Sequence, residues 1–132
     1  MVRGILAAGT LAATVCAADV AGWTPAAWTN ESTVELCTTD AGEPMHCFPV
    51  WLVVLDGQLY VRLGTRAAGR VERSTTKPFL EVGIAGERFP HVHGIPAPDD
   101  AGRVADAMAA KYWSDLLVRY VNHPLTLRLV PE

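Results

Sequence analysis

The sequence predicts a mainly β domain with one short and one long helix (α+β), its strands closed into a six-stranded barrel. Three observations carry this reading. From about residue 32 onward, short runs rich in Val, Leu, Ile, Phe and Tyr alternate with turn residues. Asp56-Gly57 falls between two such runs, and Asp-Gly supplies the positive φ that a type I′ hairpin turn requires at both central positions. The register this turn imposes gathers a wholly aliphatic face, as a barrel interior demands.

Strands are expected at residues 32–38, 48–55, 58–64, 78–86, 88–95 and 124–130. The Asp56-Gly57 turn sets Leu55 opposite Gln58, Val54 opposite Leu59, Val53 opposite Tyr60, Leu52 opposite Val61, Trp51 opposite Arg62 and Val50 opposite Leu63. One face then carries Val50, Leu52, Val54, Leu59, Val61 and Leu63. The other carries Trp51, Val53, Leu55, Gln58, Tyr60 and Arg62, too apolar for open solvent, so it should meet the long helix, a second subunit or a planar ligand. If the helix leaves that face bare, a two-fold dimer should bury it. Pairing Cys37 with Cys47 sets Leu36 opposite Phe48 and Val34 opposite Val50, which continues the aliphatic interior. In an oxidising compartment a disulfide there would stabilise by about 2–4 kcal/mol. Pro49 weighs against a regular ladder, having no N–H to donate. A second hairpin turn is expected at Gly86-Glu87. The long helix spans 99–121, with Asp99 or Asp100 capping its start and Val104, Met108, Tyr112, Leu116 and Tyr120 at four-residue spacing. Asn122-His123-Pro124 ends it.

A chain of 132 residues, half of them hydrophobic, has room for one packed domain, here 32–132. Its formal charge of −3 and lack of a continuous basic block argue against a nucleic-acid surface or a polybasic membrane patch. Residues 19–31, with Trp23, Pro25 and Trp28, read as linker-like. Residues 1–18 read as a signal peptide: Arg3 is followed by an uncharged stretch from Gly4 to Ala18 that closes on Cys16-Ala17-Ala18. That stretch is short and alanine-rich for a stable membrane span. It implies export, to a periplasm or out of the cell; in a cytoplasmic protein, Ile5, Leu6 and Leu11 would instead pack a helix onto the domain.

Cations concentrate after the third strand. Arg62, Arg66, Arg70, Arg73 and Lys77 are five of the chain's 11 basic residues. On a short helix Arg66, Arg70 and Arg73 share one face, and Thr65 with the first-turn N–H groups adds neutral donors. This is a candidate anion site, since a guanidinium gives phosphate two parallel hydrogen bonds. Read blandly, the same face is a solvated helix surface. His91-Val92-His93 puts two imidazoles on one strand face, but no third ligand stands at a diagnostic spacing, so no metal is expected. Nucleophile-elbow and phosphate-loop patterns are absent, which removes the common hydrolase readings.

The order of strand, Asp-Gly hairpin, Leu59-Tyr60-Val61-Arg62, short basic helix, strand pair, helix and final strand resembles the pyridoxamine 5′-phosphate oxidase-like (FMN-binding) split barrels. Within that superfamily the likeness is to a small uncharacterised group. It rests on Trp51-Leu52-Val53-Val54-x-Asp56-Gly57-x-Leu59-Tyr60-Val61-Arg62, Ala110-Lys111-Tyr112 and Thr126-Leu127-Arg128-Leu129-x-Pro131. The resemblance implies a six-stranded split barrel and a homodimer with FMN against the barrel at the subunit interface. It implies that the segment from Gly64 to Arg70 contacts the phosphate; a flavin held there would be gripped by Arg62, Thr65, Arg66 and Arg70, with Trp51 or Tyr60 lining the ring. A flavin-dependent oxidoreductase is the activity it suggests, since flavin chemistry asks the protein chiefly for binding and orientation. The alternatives are a non-catalytic module for haem, a deazaflavin or another planar anionic ligand, and a dimeric structural domain without a site.

Overall fold

The computed structural model describes residues 20–112 and 123–132. One antiparallel sheet contains β1 (Val34–Thr38), β2 (His46–Val50), β3 (Leu52–Leu55), β4 (Gln58–Leu63), β5 (Phe79–Ile84), β6 (Glu87–Pro96) and β7 (Leu125–Pro131). Helix α1 (Thr65–Arg73) follows β4, and α2 (Ala101–Lys111) follows β6.

The spatial order β2-β1-β5-β6-β7-β4-β3 leaves β2 and β3 at the two edges. These strands are consecutive in the chain, separated only by Trp51. A sheet whose edges are joined by one residue has to curl until they meet, which makes it a barrel with a seam. The expected strand 48–55 is therefore broken at Trp51: its first half pairs with β1 and its second with β4. That break turns six expected strands into seven. The expected pairs Trp51 with Arg62 and Val50 with Leu63 do not form in the ladder, because Val50 is committed to Val34 on β1. Pro49 sits opposite Glu35 on the edge strand, where a missing donor is tolerated.

Asp56 and Gly57 both have positive φ, 53° and 73°, and β3 pairs with β4 in the register the turn sets from Leu55 opposite Gln58 to Leu52 opposite Val61. In the second hairpin the turn lies one residue earlier than expected. Ala85 and Gly86 take the positive φ values, 52° and 80°, and Ile84 faces Glu87.

The two faces of the β3–β4 hairpin go to different cores. Leu52, Leu59, Val61 and Leu63 are fully buried inside the barrel with Leu36, Val82, Leu127 and Leu129, and Val50 and Val54 pack against them. On the outer face Val53 and Tyr60 are buried with Ala97, Val104 and Met108, so α2 of the same chain covers them. The linker-like segment also joins the core. Trp28 is buried, and Trp23 meets Trp28 and Phe89 edge-on with centroids 5.1 and 5.0 Å apart.

Helix α2 is shorter than its sequence pattern. It ends at Lys111, and Tyr112 is extended at φ −115°, ψ 98°; Leu116 and Tyr120 lie outside the described residues. Asp100 occupies the N-cap position without capping the helix. Its carboxylate instead accepts from Tyr60 Oη (3.2 Å) and Arg103 Nη2 (3.0 Å).

The helix gives way at a point where the barrel seam needs partners. A two-residue hairpin bonds the pair beside its turn and alternates from there, so the N–H and C=O of Leu52 point away from β4. Tyr112 Oη accepts from the Leu52 N–H (3.2 Å), and Lys111 Nζ donates to the carbonyls of Leu52 (3.1 Å) and Glu31 (2.6 Å). The Tyr112 hydroxyl hydrogen is shared between the Ser32 and Leu52 carbonyls, at 2.8 and 3.0 Å. Burial lowers the Lys111 pKa and raises that of Tyr112. Trp51, at the break, stacks flat on Tyr112 with ring centroids 4.3 Å apart.

Candidate ligand-binding site

Where β4 leaves the barrel, Gly64 carries the chain into α1 with extended backbone (φ −70°, ψ 176°) and offers no side-chain cap. The first intrahelical bond runs from the Ala68 N–H to the Gly64 carbonyl at 2.9 Å. The N–H groups of Thr65, Arg66 and Ala67 therefore precede the helix ladder and carry the positive end of its dipole. Helix α1 is amphipathic: Ala68 and Val71 are buried against the barrel, which leaves Arg66 and Arg70 on the outward side.

This helix start forms one wall of a pocket of about 730 Å³. Gly64, Thr65, Arg66, Ala67 and Arg70 line that wall, and His46 and Phe48 of β2 line the other. Phe48 is half-buried against the barrel core, and the His46 ring is stacked over it at 6.0 Å. The volume is that of a pocket for a cofactor-sized molecule. Among the described residues neither Arg66 nor Arg70 has a hydrogen-bond or ion-pair partner. Arg73, one turn further on, folds back across Gly69 to Asp40 at 3.5 Å and does not line the pocket.

Four residues expected to hold phosphate, Gly64, Thr65, Arg66 and Arg70, are thus brought together on one wall of this pocket. Three others are elsewhere. Tyr60 is buried beneath α2, Trp51 lies at the seam, and Arg62, on the outer face, approaches His123 Nδ1 at 3.3 Å. The alternation of the β3–β4 hairpin explains this, since Trp51, Tyr60 and Arg62 share the face that α2 occupies. His46 and Phe48 belong to the pocket and were not expected there. The Cys37–Cys47 pairing already turns Phe48 inward beside Leu36, and that was the available signal. His91 and His93 both lie against the Phe79 ring, at 3.9 and 5.4 Å.

No protein-family model matches the chain, and no curated protein does. Solved structures do. The haem storage protein HutZ from Vibrio cholerae superposes with a TM-score of 0.58 at 16% identity, over 81% of this chain and 87% of that one. A FAD-binding protein from Mesorhizobium loti gives 0.53 at 12% identity, over 86% and 90%. An F420-H2 dependent reductase gives 0.52 at 12% identity, over 76% and 94%. The chain shares the fold of these structures, an antiparallel sheet curled into a split barrel.

Proposed function

We propose that this protein binds FMN, or a flavin-like ligand bearing a phosphate, in the pocket between α1 and β2. One observation carries the reading: two arginines without partners among the described residues and an uncapped helix start face a cavity whose far wall is aromatic. A guanidinium left open beside a helix N-terminus is complementary to a phosphate, and an apolar wall is complementary to a planar ring. In this arrangement Arg70, with Arg66 on the same helical face, grips phosphate, the first-turn N–H groups add neutral donors, and Phe48 packs against the ring. A bound flavin would supply hydride and electron transfer; the chain's own residues hold and orient it and keep water from its apolar side. The solved flavin- and F420-associated structures of this fold support the reading. In a homodimer a second copy of the chain would cover this pocket. The disulfide between Cys37 and Cys47 suits an oxidising compartment, and export is the localisation we propose.

His46 favours one competing reading, haem. An imidazole at the pocket wall is a potential axial ligand, and haem propionates would take the place of phosphate on Arg66 and Arg70. The two readings separate in one experiment. Absorbance spectra of the purified protein are recorded before and after adding FMN, and separately haemin, to wild type and His46→Ala. FMN binding that survives His46→Ala supports the flavin site. A Soret shift lost in His46→Ala, with no response to FMN, would assign the pocket to haem.

A further inference from the structure

We propose that the Cys37–Cys47 disulfide is a thiol–disulfide exchange centre that opens to a dithiol reductant, with Cys47 the sulfur attacked and Cys37 the thiolate released onto Arg88. The bridge lies on the outer face of the sheet and ties β1 to the edge strand β2. Its two sulfurs stand in unequal surroundings. Cys37 is 2% exposed, while Cys47 is only half-buried on the edge strand, so a nucleophile has better access to Cys47.

The leaving side is equipped with a cation. Arg88 Nη2 lies 3.1 Å from Cys37 Sγ and 3.8 Å from Cys47 Sγ. Its guanidinium is fixed by Glu35 and Glu81, each at 2.8 Å. Glu35 also brings a carboxylate oxygen within 4.8 Å of both sulfurs. These carboxylates oppose a new negative charge there, and the guanidinium in direct contact with Cys37 favours it. A thiolate whose charge is stabilised is the better leaving group.

A reductant thiolate attacks Cys47 Sγ, a new S–S bond forms, and the Cys37–Cys47 bond breaks with its electron pair going to Cys37 Sγ. The reductant's second thiol then loses its proton and attacks its own sulfur in the mixed disulfide, which releases Cys47 as a thiolate. The dithiol is oxidised to a disulfide, and two cysteine thiols are formed once the thiolates take up the two protons the dithiol has lost. Cys47 stands between His46 and Phe48, so opening the bridge removes the covalent tie on the β2 wall of the pocket and leaves it held to β1 by the strand ladder. That last consequence rests on the pocket reading, whereas the exchange itself does not.

The test uses the full chain without flavin. Reduced glutathione is added, the reaction is quenched with iodoacetamide, and the peptides are mapped by mass. Glutathione on Cys47 and carbamidomethylation on Cys37 are expected; glutathione on Cys37 would overturn the assignment. Loss of Arg88 separates the two roles it could play, because their signs differ. If Arg88 stabilises the leaving thiolate, Arg88→Met slows dithiothreitol reduction by about ten-fold or more, as expected for loss of one charge-assisted contact, and Arg88→Lys restores part of the rate. If Arg88 merely stitches β1, β5 and β6 together, its loss loosens the sheet and accelerates reduction, which would sink the proposal. Glu35→Gln should accelerate reduction, and an unchanged or slower rate counts against the electrostatic account. Hydrogen exchange comparing oxidised and reduced protein should quicken at residues 46–50 and stay constant in α1. No change at 46–50 would remove the link to the pocket wall.

Discussion

Arg88 and Arg103 are each clasped by two carboxylates, whereas Arg66 and Arg70 have no such partners among the described residues. Arg103 joins Asp56 of the hairpin turn (2.7 Å) to Asp100 at the start of α2 (3.0 Å) and lies over the Tyr60 ring. Arg88 joins β1, β5 and β6 through Glu35 and Glu81. Hydrogen bonds to those carboxylates raise the pKa of both guanidinium groups, Arg88 through Glu35 and Glu81, Arg103 through Asp100 and Asp56. Both charges are already met within the chain, that of Arg103 between the hairpin turn and the start of α2, that of Arg88 between two carboxylates and beside the Cys37–Cys47 disulfide. Arg66 and Arg70 are different: helix α1 places them on the wall of a cavity, with no charge partner among the described residues. The lesson is that a basic cluster read from sequence divides, in the fold, into cations that are spent and cations that are available. Arg73 belongs with the spent ones, through Asp40.

The contrast is tested most strongly by removing both open arginines. Arg66→Ala/Arg70→Ala should lower FMN affinity by more than about a hundred-fold while the urea midpoint stays at the wild-type value. A large fall in the midpoint would show that these side chains had been holding the fold together.

The seam supplies the complementary case. Tyr112→Phe removes the hydroxyl that accepts from the Leu52 N–H, and should cost about 1–3 kcal/mol in urea unfolding with FMN affinity unchanged. Its pH dependence has a definite sign. Burial raises the folded-state pKa of Tyr112 above the ordinary 10.0, so its contribution is fully present below about pH 10 and is lost as pH rises through the higher folded value. Lys111 acts in the opposite sense. Desolvation holds its folded pKa below 10.5, so stability rises with pH from that lowered value up to the unfolded one. Tyr112→Phe should therefore abolish the alkaline loss and leave the Lys111 rise; a profile identical to wild type would remove Tyr112 from the account.

The smallest effect is expected at Arg103. Arg103→Met should leave FMN binding unchanged and lower stability slightly, and 1 M salt should erase the difference because exposed ion pairs are screened. Weakened flavin binding in Arg103→Met would erase the distinction between the two classes of arginine.

The β3–β4 hairpin was legible because Asp56-Gly57 fixes a register and period-two alternation then assigns every side chain to a face. The basic helix was legible for a similar reason, since four-residue spacing put Arg66 and Arg70 together. Trp51 was not legible as a break. Nothing in a continuous apolar run shows where a strand changes partner when a barrel closes. The end of α2 was hidden too: Tyr112 continues the helical periodicity, yet its hydroxyl and the Lys111 ammonium are drawn off to the Leu52 backbone. The pocket combined both situations. Its α1 wall is a local pattern, while its β2 wall, His46 and Phe48, arrives from a strand remote in sequence. Tyr60 and Trp51 were drawn to the site by their ring chemistry, but alternation puts them beneath α2 and at the seam.

The most direct measurement compares FMN with riboflavin, which lacks the phosphate, in wild type and Arg70→Ala by flavin fluorescence titration. If the pocket grips phosphate through Arg70, wild type binds FMN more tightly than riboflavin. Arg70→Ala then weakens FMN by roughly ten- to a hundred-fold, leaves riboflavin nearly unchanged, and so closes most of the gap between them. Arg70→Lys should recover only part of the loss, because a point charge lacks the bidentate fork. Equal affinity of wild type for the two flavins, or a mutation that weakens both alike, would contradict the phosphate site at the start of α1.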